Sequence, residues 1–339
     1  MNNELLEYIE TFVLVLILGR GGGGKSSNTH TIATGINRGE AAFNAGERLR
    51  KAKLGRKQFI ANYIKNNVLT DEQTAKAEAI KIHDSQVKAA KTSLVAALKK
   101  PPKNSIYRPL AIDLDRQASL THVYGLEKNT LPTLFDVLRG DVTIFEAIVQ
   151  TPHGFILPGG RNLDYLEQTG SDYLAVAKSL RLLILKDLSR LFFPIVIDTA
   201  PSQNHISNDI ALAAADGVII SAVGEEFAKE GVIDSLDKIE RIKDLNPNLE
   251  TLGILMNRYE EDTVNKVTIN EIREVSKKYD VEIFNSYIRE CTVVKKAQKV
   301  KQSIFDYDEV GETTTADYLT FFNELLNKNE RLKCPKIKN

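Results

Sequence analysis

An apolar run that ends abruptly on a glycine loop limits what this chain can become more than any other feature. Residues 13–27 read VLVLILGRGGGGKSS. Val13 to Leu18 is aliphatic throughout, the composition of a strand buried on both faces of a parallel sheet. The glycines that follow let the chain turn tightly. With no Cβ in the way, their backbone N–H groups can converge on an anion.

From Gly19 to Ser26 the text satisfies G-x-x-x-x-G-K-[ST], the phosphate-binding P-loop. In that loop Gly21, Gly22, Gly23 and Gly24 supply the bare backbone, Lys25 reaches the terminal phosphates, and Ser26 gives a hydroxyl to Mg²⁺. Residues after Lys25 are expected to open a helix, to about Gly35, whose dipole adds to the cradle. Gly19, Gly21 and Gly24 also match the dinucleotide pattern G-x-G-x-x-G, but Glu40, near the distance where the ribose acid belongs, lies in NRGEAAFNAG, which is no strand. That rival also leaves Lys25 and Ser26 without a role.

A P-loop ATPase needs an acid at the end of another buried strand to hold Mg²⁺ through water. In FFPIVIDTAPS the strand runs from Pro194 to Ile197 and delivers Asp198. In RPLAIDLDRQAS, Leu110 to Leu114 reads as a strand with Asp113 and Asp115 at its end. Ligands of open α/β sheets bind at that carboxyl edge, so the pair can order water on Mg²⁺ and the attacking water.

These motifs, in this order, resemble the ParA/MinD family of deviant Walker P-loop ATPases, most closely the ParA (Soj-like) branch that partitions plasmids and chromosomes. The likeness covers residues 12 to 37 and 108 to about 326. The family loop K-G-G-x-G-K-[ST]-[ST] is matched by Arg20 to Ser27 except at its first position, and D-x-D-P-Q by Asp113 to Gln117 with Arg116 in place of proline. IVIDTAPS is similar to the second switch, and NPNLETLGILMNRYEE to the strand that ends at the adenine. The resemblance implies a P-loop NTPase fold: an α/β protein with a mostly parallel sheet and helices on both faces. It implies ATP and Mg²⁺ as cofactors, with Ser26, Asp113 and Asp198 around the metal. Gly21 to Ser27, Asn257 and Arg289 would bind the nucleotide, and Lys25, Asp115 and Arg20 would serve a weak ATPase. Arg20 stands where the family has a lysine that crosses the dimer. It also implies an ATP-bound homodimer, non-specific DNA binding, a centromere-binding ParB-like partner and a cytoplasmic, nucleoid-associated protein, without stable membrane association. A membrane or polar-positioning ATPase like MinD and a nucleotide-binding scaffold with little hydrolysis are the alternatives.

Further strands are expected at Gly217–Ser221 and Leu252–Met256. Helices are expected near 172–191, 206–215, 227–243, 264–279 and 315–326. The ATPase domain is assigned to 1–37 and 104–330, with a flexible basic tail at 331–339.

Residues 38–103 depart from the family pattern. They read as two helices, the second opened by Thr70 and Gln73 and closed by Pro101 and Pro102. This insertion carries 15 Lys and Arg against 6 Asp and Glu; the whole chain has 45 of each, so the rest carries 45 − 15 = 30 against 45 − 6 = 39. A basic arm on an acidic body is an electrostatic footprint for nucleic acid, and a solvated, lysine-rich hairpin reads the same way. Arg48, Arg50, Lys51, Lys53, Arg56 and Lys57 are its DNA candidates. Lys295, Lys296, Lys299 and Lys301 form a second basic run, which the resemblance favours as a DNA contact.

The two cysteines, Cys291 and Cys334, make no disulfide framework and no pair for an iron–sulfur cluster. The longest apolar run is too short to cross a bilayer. His30, His83, His122, His153 and His205 have no metal spacing.

Replacing Lys25 by alanine removes the loop's only cation aimed at the terminal phosphates. The Lys25→Ala protein is therefore expected to lose ATP binding or turnover, measured by equilibrium nucleotide binding and phosphate release. Parent-like values would refute the P-loop assignment.

Overall fold

The computed structural model describes residues 13–18, 108–167, 173–189, 191–200, 206–225, 228–302, 304–307 and 313–332. The expected helix after Lys25, the insertion at 38–103 and residues 333–339 lie outside the described residues.

Among the described residues eight strands form one sheet: β1 (Val13–Leu18), β2 (Arg108–Asp113), β3 (Val149–Thr151), β4 (Gly154–Leu157), β5 (Phe192–Asp198), β6 (Gly217–Val223), β7 (Glu250–Tyr259) and β8 (Ile283–Arg289). Their order is β3-β4-β2-β5-β1-β6-β7-β8. Every neighbouring pair is parallel except the short β3–β4 hairpin. FFPIVID and GVIISAV are buried along their whole length, as inner parallel strands require. β8 instead alternates, burying Phe284, Ser286 and Ile288 and exposing Asn285, Tyr287 and Arg289, as fits a strand at the sheet edge.

The helices are α1 (Ser119–Val123), α2 (Leu134–Arg139), α3 (Ile144–Ala147), α4 (Asp164–Glu167), α5 (Tyr173–Leu183), α6 (Ile206–Ala214), α7 (Ala228–Lys243), α8 (Thr263–Lys278), α9 (Thr292–Lys299), α10 (Ile304–Tyr307) and α11 (Thr313–Lys328). Side chains leave a strand alternately up and down, so the sheet feeds two cores. On one face Ile112, Ile197, Ile220 and Ile254 meet Leu180, Ile210, Leu236 and Ile272 of α5 to α8. On the other, Val196, Ile219, Leu255 and Ile288 meet Ile304, Phe305, Tyr318 and Phe321 of α10 and α11. Ala111 and Ile156, also on that second face, are covered by Leu120 and Tyr124 at α1. This is the layered α/β architecture expected from the strand–helix alternation.

Three details differ from the expectation. The β3–β4 hairpin and β8 are not among the expected strands, because the hairpin strands are short and β8 is half polar. The helix expected to run to residue 191 leaves α geometry at Leu183 and closes through a π turn, Ile184–Leu188. The strand expected from Pro194 begins two residues earlier, at Phe192.

The edge of β8 is covered rather than left open. Glu324 of α11 accepts hydrogen bonds from the backbone N–H groups of Asn285 and Ser286, each at 2.8 Å, and from Ser286 Oγ at 2.7 Å. A carboxylate thereby occupies donors that would otherwise template another strand. Phe321 lies edge-on to Phe284 with centroids 5.1 Å apart, and the chain stays docked as far as Leu332, which is buried. Phe321 is fully buried. Phe321→Ala is expected to cost about 3–5 kcal/mol of unfolding free energy, read from urea denaturation. A loss under about 1 kcal/mol would mean that α11 contributes little to the second core.

Candidate functional site

β1 lies between β5 and β6. The connection from β1 leads away to β2 on one side, and that from β5 leads over β1 to β6 on the other. The crevice of an α/β sheet opens at such a reversal, outside the carboxyl ends of the strands. The glycine loop follows β1 in sequence, so the chain enters it from this edge.

Two acids stand there side by side. Asp113 of β2 and Asp198 of β5 are register partners, and Leu16 of β1 is the partner of Asp198 on its other side. Both acids are 1% exposed. The strand ends are locked by a 2.8 Å hydrogen bond from Leu114 N–H to Asp198 O.

Asp113 is held by three donors. Its Oδ2 accepts from Thr121 N–H at 2.8 Å and Thr121 Oγ at 2.7 Å, and its Oδ1 from Asp115 N–H at 3.1 Å. Those bonds favour the charged form, yet burial and then the neighbouring Asp198 outweigh them. The Asp113 carboxyl is pushed up to about 7. Two carboxylates that repel each other in a dry site suit a divalent cation, which relieves both. Mg²⁺ in particular takes one or two protein carboxylates and fills its shell with water and phosphate oxygens.

Thr121 and Gly159 belong to the site although the sequence reading missed them. Thr121 Oγ also accepts from Gly159 N–H at 2.8 Å. A Cβ at Gly159 would lie 2.7 Å from both Asp113 Cγ and the Asp115 carbonyl oxygen. The loop after β4 can approach the acids only because residue 159 lacks a side chain. The Gly-Gly pair in ILPGGRN was the available signal.

Asp115 is buried, and its Oδ1 accepts from Gln117 N–H at 2.9 Å, which folds the D-x-D-R-Q loop back on itself. Arg116, at the family's proline position, faces outward and pairs with Asp164 of α4 at 3.3 Å.

The base-site candidates lie at the ends of β7 and β8. Asn257 is 3% exposed and is the register partner of Ile288. Arg289 does not stand loose over a pocket: its guanidinium forks onto Asp317 of α11, with Nε to Oδ2 at 2.9 Å, which raises the guanidinium pKa further. Of the second basic run, Lys295 pairs with Glu290 at 2.7 Å, while Lys296 and Lys299 are exposed on α9. Lys301 approaches α1 closely enough that, after slight burial, it and Lys128 hold His122 below its ordinary pKa. Arg20, Gly21, Gly22, Gly23, Gly24, Lys25, Ser26 and Ser27, and the insertion residues Arg48, Arg50, Lys51, Lys53, Arg56 and Lys57, lie outside the described residues.

Residues 77–251 match the AAA domain family AAA_31, over half of the chain and across both acid-bearing strands. The chain belongs to the ParA/MinD family of P-loop ATPases. The chromosome partitioning protein ParA of Caulobacter vibrioides is 28% identical over 229 residues, 65% of this chain and 83% of that protein. The chromosome-partitioning ATPase Soj of Thermus thermophilus is 30% identical over 161 residues, 46% of this chain and 59% of that one. In fold the chain is similar to apo McdA of Cyanothece, with a TM-score of 0.61 at 18% identity, covering 94% of this chain and all of that one. The cell division ATPase MinD of Pyrococcus furiosus gives 0.57 at 17% identity, covering 95% and 100%. Among the described residues of this family member no helix is long and apolar enough to cross a membrane.

The raised carboxyl makes a signed prediction. Asp113 titrates near its ordinary 3.8 in the unfolded chain and near 7 in the fold. Its contribution to stability is therefore complete below about 3.8 and is lost as pH rises to about 7. Asp113→Asn removes that loss and keeps an acceptor for Thr121. Without nucleotide or divalent cation, the variant's melting temperature should exceed the parent's at pH 8 by several degrees more than at pH 5. An equal offset at both pH values would show that Asp113 is not under charge strain.

Proposed function

We propose that this chain is a Mg²⁺-ATP switch that partitions DNA, in which an ATP-bound homodimer holds DNA by charge and slow hydrolysis releases it. The observation that carries this reading is the pair Asp113 and Asp198, buried in register beside the strand that leads into G-R-G-G-G-G-K-S. Bound Mg²⁺ would supply charge neutralisation at the transferred phosphoryl group. The protein supplies the rest by position. Lys25 and the bare loop hold the phosphates, Ser26 gives its hydroxyl, and Asp113 and Asp198 orient water on the cation. Asp115 aligns the attacking water, and Asn257 marks the base.

The partitioning part rests on the curated relatives of Caulobacter and Thermus, whose names state that role. Arg20 is proposed to reach the partner protomer's phosphates. Its planar fork can bind phosphate oxygens in pairs, as the family's lysine cannot. The basic insertion and the exposed Lys296 and Lys299 supply the charge for DNA. A ParB-like, centromere-binding protein is the proposed stimulant of hydrolysis.

Co-sedimentation tests the reading. With ATP the protein is expected to pellet with non-specific duplex DNA and not with anionic liposomes, and without ATP with neither. The DNA affinity should fall with salt at a slope of about −0.9 per phosphate contacted. ATP-dependent pelleting with liposomes alone would replace this reading with a MinD-like one. ATP binding that changes neither would leave a nucleotide-binding scaffold.

A further inference from the structure

Arg258, directly after Asn257, adopts a left-handed backbone with φ 53°. A non-glycine residue there is strained unless its surroundings hold it. Its side chain is held from both sides. Nε donates to Glu290 Oε2 at 2.8 Å, and Nη1 donates to Glu225 Oε1 at 3.3 Å. Glu225 follows β6, Arg258 is in β7, and Glu290 follows β8. One guanidinium therefore ties together three adjacent strand ends at the carboxyl edge.

Both anchors are themselves fixed. Glu290 donates its backbone N–H to Tyr259 O at 3.1 Å, and its second carboxylate oxygen accepts from Lys295 of α9 at 2.7 Å. Burial pushes the Glu290 carboxyl up, but the bonds from Lys295 and Arg258 outweigh it and hold the group below its ordinary range. Glu225 follows Gly224, whose missing Cβ would fall 1.8 Å from Asn265 Oδ1, so that loop lies hard against the start of α8.

The clamp acts on Asn257. The backbone N–H of Arg258 donates to Asn257 Oδ1 at 2.9 Å. That bond decides which end of the buried amide is oxygen and leaves Nδ2 as the end free to turn elsewhere. An amide reversed end for end exchanges donor and acceptor. The end left free is a donor and so needs a base acceptor: adenine's ring N1 is a bare acceptor where guanine's N1 carries hydrogen, so the orientation of this amide bears directly on which base fits.

Building on the nucleotide-binding reading above, we propose that Arg258 is a positioning residue for base selection. The Glu225–Arg258–Glu290 clamp holds the left-handed turn that orients the Asn257 amide toward adenine. Arg258 touches no phosphate in this scheme and acts only through Asn257.

Displacement of a fluorescent ATP analogue by ATP and by GTP tests this in the full-length chain. Arg258→Ala is expected to lower the ATP-over-GTP preference about tenfold, the worth of one hydrogen bond made or missed, with GTP affinity nearly unchanged. Arg258→Gly enters the left-handed backbone without a clamp and keeps the N–H for Asn257, so it should retain most of the preference that the alanine variant loses. Arg258→Lys keeps a cation for Glu290 and should retain most of the preference. Equal weakening of ATP and GTP would mean a merely structural role and overturn the proposal, as would a parental ratio in the alanine variant or an alanine-like loss in the glycine variant. A parent that binds ATP without preferring it overturns the proposal alone. A parent that binds neither nucleotide overturns the nucleotide-binding reading, and the role of Arg258 falls with it.

Discussion

Two carboxylates in register in a dry sheet repel each other, and much of the carboxyl edge is organised around that repulsion. Packing of β2 and β5 against two apolar layers forces Asp113 and Asp198 together. Thr121 and the Asp115 backbone answer with three hydrogen bonds, and Gly159 brings a third loop close enough to hold Thr121. Even so, burial and the second charge keep the Asp113 carboxyl well above the usual range. A divalent cation with phosphate is the natural complement of such a site, because it removes the repulsion without disturbing the packing. The strand order puts β1, and the entrance to the glycine loop, next to that pair.

The other half of the edge is built on ion pairs rather than on like charges. Arg258 joins Glu225 to Glu290, Lys295 shares Glu290, and Arg289 forks onto Asp317. Apart from the buried Asp317 these groups are partly exposed, so the other pairs individually add little to stability. Their effect is geometric: they set the backbone after β7 and attach α9 and α11 to the ends of β7 and β8. Through Glu290, the basic α9 is tied to the residue that follows Asn257. An arrangement of this kind gives the base site and the lysine-rich helix one shared carboxylate.

The inner strands were legible because a strand covered on both faces must be apolar at every position. VLVLIL, IVID and GVIIS needed no context, and an acid closing such a run stood out against it. β8 was not legible. IFNSYIR is half polar, and it becomes a strand because α11 covers one face and Glu324 satisfies its outward donors. The short β3–β4 hairpin likewise depends on pairing with β2 through β4. Arg289 shows the limit at the site. The resemblance placed it at the base, but no local pattern tells that Asp317, 28 residues on, takes its guanidinium.

By itself the sequence determined the fold class and the family, and it marked the glycine loop and the strand-end acids as candidates, since each depends on residue types a few positions apart. Only the tertiary structure decided that Asp113 and Asp198 are neighbours, that Thr121 and Gly159 serve them, and that Arg258 is clamped between Glu225 and Glu290. Those contacts join segments 8 to 85 residues apart. Their energies come from burial and proximity, which exist only once the strands have been ordered in the sheet.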